Sequence, residues 1–429
     1  MAIMQPVRVV VVGMGARATI YAREALRHPA RMRVVGVADT DPAHVRAARE
    51  LFDIPPERCF DSAEALAQAE PFADAAINGT MDPVHVATTV PLLRRGYDVL
   101  LEKPFAVNQQ QADELLACAR ETGRRVMVCH VLRYSPFYRR LKELVASGAL
   151  GRIQNIRMAE QVSYFHQSVS YVRGKYASPE ACGSGMLLSK CCHDIDLLVW
   201  LMAGSYPERV ASVGSVFQFK PEAAPVGAGE RCLTDCAAER DCVYSARRLY
   251  LAHPQRWAAN IWHDGGMPQN APLERKEALL RSPHNPHGRC VYRGGLQIVD
   301  HQSVLVGFAN GASATFDMNG GASAPRRLVH ITGTLGEAYG CFEDGCFTVS
   351  RIAPSAPNSR TVETVAFTAE EMGDAHGGGD QLLVQDFLTL VRGGEPSVCC
   401  TTLDDSMVGH RLVFRAEDSR ALGGAMLAL

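Results

Sequence analysis

Residues 7–18 read Val7-Arg8-Val9-Val10-Val11-Val12-Gly13-Met14-Gly15-Ala16-Arg17-Ala18, and the fold follows from how such a stretch must be built. Six residues dominated by valine suit a strand buried on both faces, the situation of a parallel sheet. Gly13 permits the tight turn that follows, Gly15 lets a backbone approach a pyrophosphate, and the small Ala18 allows the next helix to pack on the strand. Phosphates would sit at that helix's N-terminus, beside Met14, Ala16 and Arg17. A second strand, Met32 to Ala38, ends at Asp39-Thr40. A carboxylate there accepts hydrogen bonds from ribose hydroxyls and repels a 2′-phosphate, so NAD is expected and NADP is less favoured.

Outward from this unit, short apolar strands alternate with helical periodicity. Further strands are expected at Ala73 to Asn78, Asp98 to Glu102 and Arg125 to Cys129, with helices at Thr19 to Arg27, Pro42 to Leu51, Val84 to Arg95 and Asn108 to Thr122. This predicts an α/β Rossmann domain, a doubly wound parallel sheet, over residues 1–132. Beyond it come a helix from Phe137 to Ser147 and longer alternating strands at Ile153 to Val162, Arg209 to Phe219, Gln297 to Phe308 and Ser313 to Asn319. They predict an α+β domain over 133–429 with a large mixed or antiparallel open sheet. Asn310-Gly311 supplies the positive φ of a tight hairpin between two of these strands. Residues of about 221–296 lack sustained periodicity and read as an insertion without a core of its own. Helices are expected at Gly379 to Arg392 and Leu403 to Leu422.

Composition narrows the function. The chain has 429 residues, more than one core usually organises. The 44 Lys and Arg against 46 Asp and Glu give a net charge of −2, which argues against nucleic acid or an anionic membrane as partner. A 47% hydrophobic and 21% charged composition is that of a folded globular chain. With no signal-like N-terminus and no long apolar run, a cytoplasmic location is expected.

At the end of the expected strand Asp98 to Glu102 stands Leu101-Glu102-Lys103-Pro104-Phe105. Ligands of open parallel sheets bind beyond the carboxyl ends of the strands, which aims Lys103 at the nicotinamide region and suits it to exchange a proton with an alcohol. The glycine loop, Glu102-Lys103-Pro104, His85, His130-Val131-Leu132-Arg133-Tyr134, Ser147-Gly148-Ala149-Leu150-Gly151, Gly183-Ser184-Gly185-Met186-Leu187-Leu188 and Gly333-Thr334 together resemble the Gfo/Idh/MocA oxidoreductases, along nearly the whole chain. The resemblance implies an NAD(P)-dependent enzyme of sugars, inositols and related polyols in which Lys103 and His193 flank the reacting carbon. It also implies cofactor contacts from Thr80, His85, Glu102, Lys103, Pro104 and Arg133, and a homo-oligomer, dimer or tetramer, formed through the second-domain sheet.

One departure matters. Many members carry an aspartate four residues before the catalytic histidine; here Ser189 stands there, followed by Lys190-Cys191-Cys192-His193-Asp194. Serine offers no charge-assisted bond to a substrate hydroxyl, which makes Lys190 and Asp194 candidates for substrate contact beside Ser189. Tyr164, His166 and Arg173 are further candidates, a polar and aromatic mix suited to a carbohydrate.

Among 14 cysteines, Cys232, Cys236 and Cys242 cluster in the insertion and Cys290 lies near its far end. Four thiolates could form a structural tetrahedral zinc site that orders this segment, with an iron–sulfur cluster less expected from the spacing. The leading expectation is an NAD-dependent dehydrogenase of a sugar, glycoside or polyol hydroxyl. The alternatives are an NAD-dependent glycosidase or lyase working through a transient keto-sugar, and a non-catalytic NAD-binding sensor.

Overall fold

The computed structural model describes residues 5–202, 204–255, 257–373 and 376–429, so the first four residues of the expected 1–132 domain lie outside the described residues. Strands β1 (Val7–Val12), β2 (Met32–Ala38), β3 (Cys59–Phe60), β4 (Ala75–Asn78), β5 (Asp98–Leu101) and β6 (Val126–Val128) form a parallel sheet in the order β3-β2-β1-β4-β5-β6. The valine run makes β1 its centre: Val9 to Val12 are fully buried between β2 and β4. Each such side chain contributes roughly 1.5–3 kcal/mol relative to exposure. Sequence periodicity missed β3 and the helix Ala63–Gln68, both too short to show a period.

The second sheet has nine strands: β7 (Ile153–Ser163), β8 (Pro207–Ser215), β9 (His301–Phe308), β10 (Ser313–Ala322), β11 (Arg326–Gly333), β12 (Gly336–Cys341), β13 (Cys346–Ile352), β14 (Arg360–Ala366) and β15 (Leu427–Ala428). Their order is β14-β13-β12-β11-β7-β10-β9-β8-β15. Only β7 and β10 run parallel, so the sheet is mixed as expected. The turn at Asn310-Gly311 joins antiparallel β9 and β10, with Gly311 at φ +85°. Helices Pro136–Ala146, Cys192–Leu201 and Leu403–Ala421 cover one face, and their apolar residues share a core with the sheet.

Two features were not legible beforehand. Leu383, Val384, Phe387 and Leu388 of the helix Gly379–Val391 pack against Val9, Val11 and Tyr21, so the far end of the chain helps to build the first layer. The insertion does have a core: Phe219, Leu233, Tyr244, Tyr250, Ile261 and Trp262 form an apolar cluster of their own, served by helices Ala258–Asp264 and Leu273–Arg281. The expectation of a coreless segment is therefore corrected. Its aromatic side chains come from scattered turns and leave no period in the sequence.

Candidate active site

The glycine loop closes directly on the end of β4. Gly13 has φ +74°, and a Cβ on it would meet the backbone nitrogen of Thr80 at 2.6 Å, so only glycine fits this approach. Thr80 is itself fixed: its hydroxyl donates to Asn78 Oδ1 at 2.8 Å. Asp39 sits at the mouth of the loop, where Oδ2 accepts the Met14 N–H at 2.6 Å and Oδ1 the Asp41 N–H at 2.8 Å. A carboxylate has further lone pairs, so it can still accept from ribose hydroxyls. Thr40 follows it, exposed. A Cβ added at Gly15 would meet nothing nearer than the Gly79 carbonyl at 4.0 Å, so the outer side of the loop is open to a dinucleotide. These residues fit NAD.

The loop Glu102-Lys103-Pro104 lies beside it. Glu102 is buried and accepts from the Tyr21 hydroxyl at 2.6 Å, Arg17 Nε at 3.2 Å and the Lys103 N–H at 3.0 Å. Burial alone would raise its carboxyl; the Arg17 and Lys103 charges and these hydrogen bonds outweigh it and hold the group below the usual carboxylate range. Arg17 also bonds Asp380 at 2.5 Å, so its side chain ties the first helix to the helix Gly379–Val391 and only its backbone remains for the cofactor. His85 bridges the Pro104 carbonyl, 2.7 Å, and the Thr80 carbonyl, 3.0 Å, locking both cofactor loops together. The Lys103–Pro104 peptide bond is cis.

Lys103 Nζ donates to the backbone carbonyl of Ser189 at 2.9 Å. That residue ends the short helix Met186–Ser189, and the chain then enters the helix Cys192–Leu201 that carries His193. The lysine of one layer is thus anchored on the turn that presents the histidine of the other. His193 is held well below its ordinary pKa, first by burial, then by the charges of Lys103, His130, His376 and Arg327. Its Nδ1 is buried without a hydrogen bond, and its ring meets the His130 ring edge-on at 5.5 Å. A neutral imidazole and an ammonium with two spare protons are the acid–base pair this geometry offers.

Ser189 turns its hydroxyl back to the Gly185 carbonyl, 3.0 Å. Two carboxylates instead lie under the histidine turn, and sequence reasoning missed the first. Glu160 of β7 pairs with Lys190 Nζ at 2.8 Å and with Arg327 Nε of β11 at 2.8 Å; Arg327 also reaches Asp194 at 3.2 Å. Burial raises the Asp194 carboxyl, with Arg327 opposing, whereas in Glu160 the charges of Arg327 and Lys190 outweigh burial and lower it. Glu160 and Arg327 stand directly opposite each other in the β7–β11 register, a relation no local motif encodes.

Other candidates go elsewhere. Arg133 forms a bidentate pair with Asp196, 2.6 and 2.7 Å, and stacks over Trp200. It braces the helix carrying His193. Arg173 directs its side-chain bonds to four groups of the insertion and to the Ser168 hydroxyl. His166 stacks on Trp257 at 4.3 Å and Tyr164 faces Tyr244 edge-on at 6.2 Å, both on the insertion side. The zinc expectation is corrected: among the described residues no three Cys, His, Asp or Glu side chains stand close enough to hold one metal ion.

Residues 7–130 match the family described as the oxidoreductase family with NAD-binding Rossmann fold, and residues 138–235 match the GFO/IDH/MocA C-terminal domain. The chain belongs to the Gfo/Idh/MocA oxidoreductases. It is an NAD-binding enzyme of that family, with a Rossmann sheet and a mixed second sheet. The protein YteT of Bacillus subtilis (strain 168) is 27% identical over 380 residues, spanning 84% of this chain and 83% of that one. The trans-1,2-dihydrobenzene-1,2-diol dehydrogenase of Xenopus laevis is 29% identical over 186 residues, 42% of this chain; the alignment spans only about half, 52%, of that relative. Among solved structures, a levoglucosan dehydrogenase in complex with NADH and levoglucosan superposes with a TM-score of 0.70 over 99% of both chains at 16% identity. An inositol dehydrogenase homolog complexed with NAD+ from Azotobacter vinelandii gives 0.69 over 100% of this chain and 98% of that one, also at 16% identity. These likenesses establish the fold. Among the described residues no helix is long and apolar enough to cross a membrane.

Proposed function

We propose that the protein is an NAD-dependent dehydrogenase of a secondary hydroxyl in a sugar, glycoside or polyol, with Lys103 and His193 as its catalytic residues. The observation that carries this reading is the hydrogen bond from Lys103 Nζ to Ser189, which holds the lysine at the entrance of the turn bearing His193. Bound NAD supplies a hydride acceptor at its nicotinamide ring. The side chains do the rest: the ammonium of Lys103 orients the substrate oxygen, and the neutral imidazole of His193 takes the hydroxyl proton. Asp39 favours NAD over NADP by accepting from ribose hydroxyls and repelling a 2′-phosphate.

In place of the missing aspartate, Lys190 and Arg327 present cationic donors to substrate hydroxyls while Glu160 and Asp194 hold them in position. The levoglucosan and inositol proteins above are sugar and cyclitol enzymes by name, and the dihydrodiol relatives also act on vicinal hydroxyls, which supports a hydroxylated ring as substrate. Assembly through the open face of the second sheet is favoured by Val213, Leu305, Leu328, Tyr339 and Val362, all exposed there.

The test incubates the purified protein with NAD and a panel of saccharides, cyclitols and dihydrodiols, following reduced-cofactor absorbance and product masses together. Substrate-dependent NADH formation supports the proposal. Bond cleavage without net NADH would replace net oxidation by the redox-assisted lyase reading, and silence across the panel with tight NAD binding would favour a sensor.

A further inference from the structure

The four cysteines of the insertion pose a problem that the zinc reading does not solve. Cys232, Cys236, Cys242 and Cys290 all line one small pocket, shared with Arg173 and Glu239. The fold brings them there deliberately: the Cys232 N–H donates to the Gly288 carbonyl at 3.0 Å and the Cys290 N–H to the Glu230 carbonyl at 2.8 Å, stapling the two ends of the insertion side by side. Yet the sulfurs are not gathered tightly enough for a single ion. A tetrahedral zinc with Zn–S bonds of about 2.3 Å draws its four sulfurs to within roughly 3.8 Å of one another. Four thiols that face one pocket at wider spacing suit a larger occupant with a separate attachment point for each.

A further observation specifies its charge. Arg173 is buried, and its guanidinium enters the pocket wall with five hydrogen bonds, to the carbonyls of Arg289 (2.6 Å) and Tyr244 (3.0 Å), the hydroxyls of Ser168 and Tyr250 (2.9 Å each) and Cys232 Sγ (3.2 Å). All five acceptors are neutral groups or a thiol. Among the described residues no carboxylate lies within ion-pair distance of it, and Glu239 accepts from Ser245 instead. A buried cation without a counter-charge is costly, so this guanidinium suits an anionic occupant of the pocket.

We propose that Cys232, Cys236, Cys242 and Cys290 ligate a four-iron, four-sulfide cluster, with Arg173 as its buried counter-charge. Each thiol loses its proton and binds one iron of the cube. With four thiolates the oxidised cluster carries two negative charges, one of which faces the guanidinium. Its role is to brace the insertion against the segment Gln167–Val172, from which Arg173 extends. This inference is independent of the substrate proposed above.

The experiment purifies the full chain without oxygen, reconstitutes it with ferric iron, sulfide and a thiol that reduces half of the iron, and measures iron, acid-labile sulfide and zinc per chain. About four irons with about four sulfides, and a broad visible absorption, are expected. The Cys236→Ser/Cys242→Ser variant, changed at two half-exposed positions, should lose that iron while NAD binding persists. About one zinc without iron, or no retained metal in the parent protein, overturns the proposal, as does a variant that keeps the full iron content. Should the variant be insoluble, the parent stoichiometry decides alone.

Discussion

Acidification should unfold this protein earlier than its carboxylates alone would dictate, because the core holds several histidines neutral. His130, His193, His287 and His410 are buried and sit below the ordinary value of 6.5, burial being the first cause in each. The next cause is Arg133 for His130, Lys103 for His193, Arg173 for His287 and the His130 ring for His410. His287 is pushed down to about 4 and His410 to about 3. In the unfolded chain each takes a proton near 6.5, so below that pH the unfolded state binds more protons and stability falls as pH falls. Each histidine contributes about 1.4 kcal/mol per pH unit in this window.

Asp82 and Asp194 act with the opposite sign. Burial raises both, so the folded state holds protons that the unfolded chain releases; Asp194, pushed up to about 7, offsets about one of the four across this window, and Asp82 adds to the offset above its ordinary value of 3.8. His376, also lowered mainly by burial, adds modestly to the histidine side. The net is a loss of about 4 kcal/mol per pH unit between roughly pH 6 and 4.5, against a total stability of about 5–15 kcal/mol. Urea midpoints read by tryptophan fluorescence from about pH 7.5 to about pH 4.5 measure this slope. His410 stacks on Phe105 at 3.9 Å with Nε2 unbonded, so His410→Leu removes one titrating ring and should cut the slope by about a third. A flat midpoint from neutral pH to about pH 5, or a His410→Leu slope equal to the parent's, would refute the reasoning.

Lys103→Met should lower kcat by about 10²–10⁴ while the dissociation constant for NADH, read by fluorescence, changes little; a kcat within tenfold of the parent removes the lysine from the chemistry. Asp39→Ser should shift the NADP-to-NAD preference by about tenfold or more, since one charge-assisted acceptor is lost and a repulsion relieved; an unchanged ratio of kcat/KM values contradicts the assigned cofactor choice. Arg133→Met leaves Asp196 buried and unpaired and should cost about 3–5 kcal/mol in urea unfolding, most of it restored by adding Asp196→Leu; equal stability of the single and double variants argues against a buried pair. Leu305→Asp should split the oligomer in light scattering if the open sheet face is the contact, and an unchanged mass would place the contact elsewhere.

The parts of the site that were legible in the sequence are those whose chemistry lies within a few consecutive residues. The glycine loop, Asp39 and the Glu102-Lys103-Pro104 turn each combine a strand end with a backbone demand that only certain residues meet, and the structure places all three at one end of the parallel sheet. The same local logic could not show what three arginine side chains bond to. Arg17, Arg133 and Arg173 stand where a cation could greet a ligand, but each is spent on interior acceptors: Glu102 and Asp380, Asp196, and the thiol pocket of the insertion. A buried guanidinium has five donors to satisfy, so in a chain this size its partners come from distant segments and no neighbouring residue announces them.

The replacement of the family aspartate by Ser189 shows the same limit from the other side. Sequence adjacency pointed to Lys190 and Asp194 as substitutes, and both do lie in the histidine turn. What gives them a role is Glu160 from β7 and Arg327 from β11, paired across strands 167 residues apart in the chain by an antiparallel register. That register depends on β10 slotting in parallel beside β7 while β11 closes on its other edge, an arrangement set by the whole nine-stranded sheet. If Lys190 and Arg327 do meet the substrate, Arg327→Met should raise KM far more than it lowers kcat. The opposite split would make the cluster a support for His193 alone.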